Sequence, residues 1–588
     1  MKTTVFVIVF LLFLPYQLLA IDLYIATNGD DANPGSKQKP FRTLPAARDA
    51  IRKINKTMTE DIVVYIRGGL YNITETIEFL PQDSGFNGHK IIYRAFNDET
   101  PIFSGGIELT NWTLYDKDKN IYQSKVPGGI YRQLYIDGKR AVRARTPNRI
   151  SEITFGPYYR LNATGKRELL VAEDYWSSVA ELKNLNQVEL VVGSHWYHQR
   201  IQIGNFRRTK DGIVVTPLNP KGKRTKQNEF YNNSRFHFEN DISFLDIGRE
   251  WYHNVKKQRI YLAVESGADL NRAQIIIPRT VTLLSVSGDT ERRVENLEFQ
   301  GLVFEHTSWN GPSMEEVNLD QFAQPTVDKL RGLLPAAFSV RHTKNFAVRD
   351  NVFRNMGANA IYMHNADHAD VEGNKFYEIA ANGIVIDNEK RNPDPDEQSQ
   401  SVAIWNNYIK KVGQDYTNGG GVLANNVSGL IVEHNLLYDM PYSAIQVCNQ
   451  PGGLYSIGCK ANRICYNHIH HVVQLHDDGG GIYTLGGIQK GTIIAENFLH
   501  DINSGEWAGS YPVSMIYLDN HTSQILVRDN VIRGGKAEER NGSKGNYLLR
   551  NVQSNKNIES NAGIKKGYNP RFSSCRPAGD AIKLNKSK

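Results

Sequence analysis

Cysteine is scarce in this sequence, with four residues among 588, and apolar runs long enough to cross a bilayer are scarce too. So few cysteines exclude a small scaffold whose core depends on disulfides. The one long apolar run covers residues 5–20, follows Lys2 and ends at the small Ala20. This pattern is typical of a secretory signal peptide, because the run is short for a transmembrane helix. We therefore expect a secreted protein, extracellular or in a lysosomal or other lumenal compartment, with no membrane partner.

The four cysteines can pair, because a secreted chain folds in an oxidising compartment. Four cysteines allow three pairings, and the sequence does not choose among them. Cys448 and Cys459 are the candidates for a disulfide, since their pairing would staple the short loop between them. A zinc site is the alternative, but the spacing is not that of a zinc motif. We expect no metal and no cofactor.

Net charge is low as well, at +7 for the whole chain. Basic residues nevertheless cluster at Lys139-Arg140, with Arg143 and Arg145 nearby, and in the run Lys221-Gly-Lys-Arg-Thr-Lys226. We interpret both clusters as solvated faces, because stacking aromatic residues are not regularly interleaved with them. Nucleic acid is therefore not an expected partner, an acidic polysaccharide has little support, and we expect a monomer.

Nine acceptor sequons for N-glycosylation occur in the chain, and we expect some of them to carry glycans. About half of such sequons arise by chance in a chain this rich in asparagine. They begin at Asn55, Asn72, Asn111, Asn162, Asn232, Asn426, Asn520, Asn541 and Asn585.

A repeat runs through the second half of the chain. Its first element is an Asn followed by an apolar pair, and successive copies lie 23, 33, 28, 32, 30 and 33 residues apart. The repeated residues are Asn351, Asn374, Asn407, Asn435, Asn467, Asn497 and Asn530. A second apolar element, such as Ile361-Tyr-Met, lies between the copies. Two interleaved columns of short strands predict an all-β, right-handed parallel β-helix of the pectin-lyase type, with stacked Asn side chains bonded to one another. The alternative, a β-propeller, needs four strands per blade at steadier intervals.

The rest of the chain is organised around this repeat. Beyond the signal segment 1–20, residues 21–107 predict an N-terminal cap and the first rungs, with a helix over 44–54 that Thr43 caps. Residues 108–265 hold alternating strands without a fixed period, so we predict an inserted antiparallel β-sandwich with little catalytic content. Residues 266–540 form the predicted β-helix catalytic domain, and 541–588 a C-terminal cap and basic tail.

The strongest chemical signal is Asp477-Asp478 followed by three glycines and an apolar segment. Asp519 ends the matching segment of the next rung, 41 residues after Asp478. Paired carboxylates suit cleavage of a glycosidic bond, since one donates a proton and the other attacks or activates water. Along straight strands the two carboxylates would lie about seven residues, or roughly 23 Å, apart. We therefore expect the glycines, which allow unusual backbone angles, to bend the chain back.

Other side chains near the acidic pair suit contacts with sugars. Aromatic faces stack on sugar rings, and imidazoles bond hydroxyl groups or handle protons. The candidates for substrate binding are His476, Tyr483, Glu506, Trp507 and His521. We expect the loop that carries Glu506 and Trp507 to overhang the site, and Glu506 is the reserve candidate for the acid. A single histidine on a rung is more often a satisfied turn residue than a catalyst.

These residues resemble the secreted β-helix glycoside hydrolases of family 141. The resemblance lies in Asp477-Asp-Gly-Gly-Gly-Ile-Tyr-Thr-Leu-Gly486, Gly491-Thr-Ile-Ile, Ile516-Tyr-Leu-Asp519 and, outside the repeat, Asp22-Leu-Tyr-Ile-Ala, Ile136-Asp-Gly-Lys-Arg140 and Ala562-Gly-Ile-Lys-Lys-Gly-Tyr568. It implies an α-L-fucosidase or xylanase acting on a polysaccharide or oligosaccharide, with Asp478 and Asp519 as the catalytic pair. The chain departs from the family pattern at Asp477, where serine is common. It departs again at Asn520-His521-Thr522, which replaces acidic and glycine residues and creates a sequon.

Two other functions compete with the hydrolase. A calcium-dependent polysaccharide lyase on the same fold would need a Lys or Arg base beside carboxylates that hold the ion, and Lys490 is the nearest such base. A non-catalytic carbohydrate-binding protein is the other alternative, because one fold serves many functions. A glycan on Asn520 would obstruct the cleft and would favour this second alternative.

Overall fold

We describe the fold from a computed structural model of the chain. The described residues are 22–149, 159–163, 168–172, 182, 185–218, 233–270, 272–311, 317–327, 330–387, 395–449, 458–567 and 575. The predicted signal segment, the run Lys221-Gly-Lys-Arg-Thr-Lys226 and the sequons at Asn232 and Asn585 lie outside these residues. No helix in the described part of the chain is both long and apolar enough to cross a membrane.

Three columns of parallel strands coil around one continuous hydrophobic core, which is the right-handed parallel β-helix that the repeat predicts. The first column stacks Ile77–Phe79, Leu284–Ser287, Ala336–Arg349, Asn359–Glu372, Ile384–Ile386, Val422–Ala424, Ile445–Asn449, Gly479–Leu485, Val513–Asp519 and Ala537–Glu539. The second stacks Asp22–Ile25, Ile62–Ile66, Ile91–Ala95, Leu297–Gln300, the later halves of Ala336–Arg349 and Asn359–Glu372, then Ala403–Trp405, Ile431–Glu433, Arg463–Cys465, Ile488–Ala495, Ser523–Arg528 and Tyr547–Leu549. The third stacks Gly69–Asn72, Pro101–Ser104, Val303–Glu305, Val352–Met356, Lys375–Ile379, Tyr408–Lys410, Leu436–Tyr438, His468–His470, Phe498–His500 and Val531–Arg533. Short strands Val294–Glu295, Ser399–Gln400 and Val427–Ser428 join the sheet between the first two columns.

The sequence pattern predicts only two of these columns, the first and the third. The second column escapes it because its strands lie directly before the repeated Asn, as Ala403–Trp405 does before Asn407. In the sequence, its apolar residues are therefore continuous with the Asn element and do not form a separate pattern. Three faces per turn, rather than two, give the solenoid its closed core.

The repeated Asn residues form a buried ladder at the turn between the second and third columns. The main-chain N–H of each Asn donates to the Oδ1 of the Asn on the next rung, at 2.9 to 3.1 Å. Each Nδ2 donates to main-chain carbonyls of its own or the preceding rung, as Asn467 does to Val432 and Cys465. The seven predicted Asn residues are all buried, and Asn551 extends the ladder by one rung. The ladder thus satisfies the polar groups that the turns would otherwise bury unpaired.

The insertion after the first rungs consists of mostly antiparallel sheets. A four-stranded sheet contains Gly106–Glu108, Tyr135–Ile136, Lys139–Arg140 and Ile275–Pro278, and a five-stranded sheet contains Thr113–Asp116, Ile121–Lys125, Val142–Arg143, Glu250–Asn254 and Arg259–Ala263. The largest contains Arg145–Thr146, Tyr159–Ala163, Leu169–Val171, Glu189–Ser194, Tyr197–Thr209, Gly212–Pro217, Arg235–Glu239, Val317–Asp320, Gln324–Val327 and Leu330–Arg331. Phe236 and Phe238 of the largest sheet share one core cluster with Tyr252 and Tyr261 of the five-stranded sheet. The two sheets therefore pack face to face, in the manner of a sandwich.

Helices are few and short. The helix Leu44–Ile51 begins with Thr43 Oγ1 accepting from the N–H of Ala46 at 3.3 Å, as the sequence predicts. It ends three residues before the predicted end, because the non-helical backbone at Ile54 leads into a separate 3₁₀ turn. Among the described residues, the other helical segments are Lys556–Asn561 and the 3₁₀ turns Asn55–Thr57, Pro81–Asp83, Leu185–Gln187, Ile242–Phe244, Gln321–Ala323 and Pro395–Glu397.

Two disulfides lie near the C-terminal rungs of the β-helix. Cys448 is joined to Cys459, the pair proposed from the sequence, with Cα atoms 6.1 Å apart. Cys465 is joined to Cys575, which lies 110 positions later in the sequence, with Cα atoms 6.6 Å apart. The second bond ties the C-terminal segment to the strand Arg463–Cys465 of the second column.

The ladder makes a prediction about stability. Asn467→Ala should lower the free energy of unfolding by roughly 3 kcal/mol or more, because buried partners on two rungs lose their bonds at about 1–3 kcal/mol each. Asn551→Ala is the matched control, since this Asn is half-buried at the end of the ladder and water can replace its bonds. Urea denaturation monitored by tryptophan fluorescence measures both changes. Equal losses in the two variants would contradict a ladder whose strength depends on burial.

Candidate active site

The strands Gly479–Leu485 and Val513–Asp519 lie on neighbouring rungs of the first column. Their register pairs Leu485 with Asp519, so Asp519 ends its strand while Asp478 precedes the start of the other. Both carboxylates are buried, with 8% of Asp478 and 2% of Asp519 exposed. The remaining exposure of Asp478 matters because a catalytic acid must reach a substrate.

The chain turns at Asp478 itself and not within the three glycines. Asp478 has a φ of +53°, in the left-handed region, whereas Gly479, Gly480 and Gly481 form the first half of a strand. The glycines are needed for close approach instead, since a Cβ on any of them would lie 2.5 to 2.7 Å from a neighbouring atom. The expectation that the glycines bend the chain is therefore wrong. Asp tolerates left-handed angles better than most residues, so the bend needs no glycine.

A crossed pair of tyrosines brings the two carboxylates together despite their offset along the strands. Tyr517, on the rung of Asp519, donates its hydroxyl to Asp478 Oδ1 at 3.0 Å. Tyr483, on the rung of Asp478, donates to Asp519 Oδ2 at 2.6 Å. The two rings meet edge to face with centroids 5.1 Å apart. Each acid is therefore held by the neighbouring rung, and both face the same pair of rings.

Burial raises the pKa of Asp478 to about 7, and the nearby charge of Asp519 contributes to the same rise. Asp477 adds a smaller repulsion, while the hydrogen bond from Tyr517 opposes the rise by favouring the carboxylate. An acid in a buried site beside another carboxylate holds its proton near neutral pH. Asp478 can therefore be protonated at a pH at which an ordinary aspartate is ionised.

Asp519 is surrounded by donors. Its Oδ2 accepts from Tyr483 and, at 3.3 Å, from Asn520, and its Oδ1 accepts from Asn541 Nδ2 at 2.5 Å. Its main-chain carbonyl accepts from the hydroxyl of Thr522. These donors fix the orientation of the carboxylate. Asn520 and Asn541, both of which begin sequons, thus contact the same acid.

Asp477 does not face the pair in the same way, because the insertion and the loop after the third column hold it. His195 Nδ1 lies 2.9 Å from Asp477 Oδ1, and the N–H of Tyr511 donates to Oδ2 at 2.7 Å. The ring of His195 meets that of Tyr511 with centroids 4.1 Å apart. Asp477 therefore fastens the acidic turn to the insertion.

His476, a predicted substrate contact, is fully buried between the insertion and the β-helix. Arg235 Nη2 donates to its ring at 2.9 Å, Thr417 Oγ1 lies 2.9 Å from Nε2, and the carbonyl of His195 contacts Nδ1. Burial and the charge of Arg235 hold the pKa of His476 well below its ordinary value. This position suits a neutral ring that orients the acidic turn.

The other predicted contacts lie in different surroundings. Tyr483 is buried and bonds Asp519, whereas Glu506 and His521 are exposed. Trp507 is half-buried, and its carbonyl accepts from Arg235 Nη1 at 3.4 Å. His521 follows Asp519 by two residues and lies against Gly542. The structure thus brings Tyr483 to the acids, while the roles of Glu506, Trp507 and His521 stay predictions.

Sequence reasoning missed the residues that the insertion and the following strands contribute. His195 and Arg235 come from a region expected to hold little catalytic content. Gln321 is a third, since its Nε2 donates to the hydroxyls of Tyr442 and Tyr483 at 3.2 and 3.3 Å. Tyr442 in turn donates to the carbonyl of Asp478 at 2.9 Å. The run of aromatic and histidine residues that follows the strand Glu189–Ser194 was the one available signal.

Metal ligands form one cluster among the described residues. Glu433, Cys465 and Cys575 could place three ligand atoms within reach of one ion, but the two cysteines form a disulfide. A disulfide sulfur is not the thiolate that binds a metal. This cluster is therefore not a metal site while the disulfide is intact.

Comparisons with known proteins agree with this architecture. Residues 121–264 match the GH141 insertion domain, and residues 336–532 match the right-handed beta helix region. A solved structure named "Glycoside hydrolase" is 25% identical, covers 93% of this chain and 100% of its own, and superposes with a TM-score of 0.85. The structure of XylC with xylose, at 14% identity and a TM-score of 0.50 over 88% of this chain and 70% of that one, shows the fold alone.

A curated relative, the uncharacterized protein YwoF of Bacillus subtilis (strain 168), is 36% identical over 83 residues. This match spans 14% of the present chain and 15% of the length of YwoF. It therefore says little about the whole protein, whereas the structural likeness to the glycoside hydrolase covers 93% of the chain. The chain is thus similar to the glycoside hydrolases of family 141: it is a right-handed parallel β-helix with a segment that matches the insertion domain of that family.

Proposed function

We propose that this protein is a secreted glycoside hydrolase that cleaves glycosidic bonds in complex polysaccharides. Asp478 is the general acid, and Asp519 is the nucleophile or the general base. The observation that carries the proposal is the crossed contact of the two buried carboxylates with Tyr483 and Tyr517. Two carboxyl groups in unlike surroundings are what glycosidic cleavage requires.

The surroundings of the two carboxylates support these roles. Asp478 has its pKa raised to about 7 by burial and by the charge of Asp519, so it can deliver a proton to the leaving oxygen. Asp519 accepts bonds from Tyr483 and Asn541, which favour a carboxylate that attacks the sugar or activates water.

The substrate class follows from the family likeness. The motif around Asp478 supports a fucosidase- or xylanase-like activity on a polysaccharide or oligosaccharide. A screen of fucosylated and xylan-type glycans, with anomeric analysis of the products by NMR, tests the sugar and the stereochemical course together. Release of no product from any cleavable glycan would reject the hydrolase.

The two alternatives give other outcomes in the same screen. A lyase would release an unsaturated product that absorbs in the ultraviolet and would need calcium. The donors that contact Asp478 and Asp519 are tyrosine and asparagine side chains, and Lys490 is exposed on the strand Ile488–Ala495, which favours hydrolysis. Binding without product release would indicate a carbohydrate-binding protein.

Removing either carboxylate should abolish most of the turnover. Asp478→Asn and Asp519→Asn should each lower kcat by roughly 10²–10⁴-fold, because each removes one proton donor or acceptor from the transition state. Asp387→Asn is the matched control, since Asp387 lies three rungs before Asp478 and four before Asp519. Its carboxylate contacts Gln324 and Asn425. Steady-state kinetics on a cleaved glycan, with circular dichroism to verify folding, measures the effect. Unchanged turnover in either active-site variant would refute the assignment.

Activity should fall as pH rises through about 7, because Asp478 must be protonated to act as the acid. Tyr517→Phe should move this alkaline limb to higher pH, since it removes a bond that favours the ionised carboxylate. Tyr442→Phe is the control, because Tyr442 donates to the main-chain carbonyl of Asp478 and not to its carboxylate. Profiles of kcat/KM against pH give the limb positions. A limb that moves to lower pH in Tyr517→Phe would contradict the assignment.

The raised pKa of Asp478 also implies a cost in stability. The folded-state pKa of about 7 exceeds the unfolded value of about 3.9, so stability is full below pH 4 and is lost as pH rises to about 7. Asp478→Asn lacks this loss, so its stability relative to the native chain should rise by up to about 4 kcal/mol between pH 4 and pH 8. Thermal unfolding at the two pH values measures the difference, and the pH 4 comparison is the internal control. A constant difference at both values would refute the raised pKa.

A further inference from the structure

A cavity of about 540 Å³ lies between the insertion and the β-helix and has a strongly basic lining. Ten of its lining residues are Arg or Lys, and four are Asp or Glu. Arg140 and Arg143 belong to the basic cluster that the sequence analysis interprets as a solvated face. That interpretation is wrong, because the insertion packs this cluster against Lys410 and Asp415 of the β-helix.

Three of the four acids of the lining already pair with cations, and Glu189 beside the lining pairs with Arg132, Arg143 and Arg200. These acids are still fewer than the ten cations. Glu239 accepts from Arg200 at 2.7 Å and lies 2.8 Å from His237 Nε2. Asp415 accepts from Arg140 and Gln133 at 2.8 and 2.9 Å. Each engaged acid neutralises one cation at most, so several positive charges remain in the cavity. A cavity with this surplus attracts anions.

Some buried donors in the lining have no hydrogen-bond partner within the described residues. They are the Nε atoms of Arg140, Arg143 and Arg200. Arg200 is 4% exposed, and leaving a buried donor unpaired is unfavourable. Burial and the neighbouring Arg132 and Arg200 also lower the pKa of Arg143, although Glu189 opposes the effect. An anionic ligand would pair these donors and relieve the repulsion.

One residue connects this cavity to the candidate active site. Thr417 lines the cavity, and its hydroxyl lies 3.0 Å from His198 Nδ1 and 2.9 Å from His476 Nε2. His476 directly precedes Asp477 and Asp478. The wall of the cavity therefore continues into the turn that holds the acid.

We propose that this basic cavity is a subsite for an acidic sugar of the substrate, whose carboxylate or sulfate the arginines bind. The proposal rests on the proposed hydrolase function, since it assigns the cavity to the same glycan. Planar guanidinium groups match the paired oxygens of such anions. A volume of about 540 Å³ lies within the range of about 300–1,000 Å³ of small-ligand sites.

Equilibrium binding to the full-length chain tests the subsite independently of turnover. The probes are a uronate-containing oligosaccharide, its carboxyl-reduced counterpart, a sulfated oligosaccharide and inorganic sulfate. The uronate or the sulfated probe should bind about tenfold or more tightly than the neutral one, because a charged hydrogen bond contributes 1.5–3 kcal/mol. The preference should shrink as salt is added. The tighter of the two acidic probes identifies the anion.

The double variant Lys410→Gln with Arg249→Gln should remove most of this preference. Both residues line the cavity, and Arg249 Nη2 is a buried donor without a partner among the described residues. Lys375→Gln is the matched control, because Lys375 is exposed on the neighbouring strand and pairs in register with Tyr408, outside the lining. Lys375→Gln should keep both the preference and the hydrolysis of a neutral glycan.

The outcomes separate the two proposals. Equal binding of acidic and neutral probes by the native chain would overturn the subsite, whether or not the double variant folds. A preference that the double variant keeps, or one that inorganic sulfate matches without a sugar, would overturn it too. A preference for acidic glycans without cleavage of any glycan would support the subsite and reject the hydrolase.

Discussion

The Asn ladder is the constraint on which the rest of this molecule depends. It fixes each rung to the next through buried hydrogen bonds at one turn, and the strands of all three columns inherit that register. Because Tyr483 bonds an acid on the following rung and Tyr517 one on the preceding rung, the site exists only when the register is exact. A slip by one residue would turn each tyrosine to the opposite face of its strand. The register that stabilises the scaffold therefore also positions the two acids and their tyrosines.

The insertion completes the site from outside the solenoid. A β-helix offers flat, repetitive faces, which by themselves provide little enclosure for a ligand. His195 and Arg235 reach across from the insertion to Asp477 and His476, so the turn that carries the acid is held from both sides. His195 of the insertion also acts on Asp478, because its charge opposes the rise of the pKa of that acid. The insertion is thus part of the candidate active site and not an appended module.

The sequence predicts those features that recur and misses those that occur once. The spacing of Asn351 to Asn530 identifies the coil because every copy repeats the same bond, and matching rung positions bring Asp478 and Asp519 into view. The bend at Asp478 depends on a single positive φ, and the run of glycines after it suggested a bend at a different position. The contact between His195 and Asp477 joins residues 282 positions apart, and no local pattern signals it. Basic residues at 139–145 look solvated until a distant segment covers them.

Asn520 and Asn541 carry a consequence for how the protein is made. Each begins a sequon, and each donates its amide to Asp519 in the folded chain. An oligosaccharide transferred to either amide nitrogen during synthesis would modify that nitrogen before it could donate to Asp519. Chains from a host that glycosylates and from one that does not would then be different catalysts with the same sequence. The choice of expression host would thus change the groups that contact Asp519.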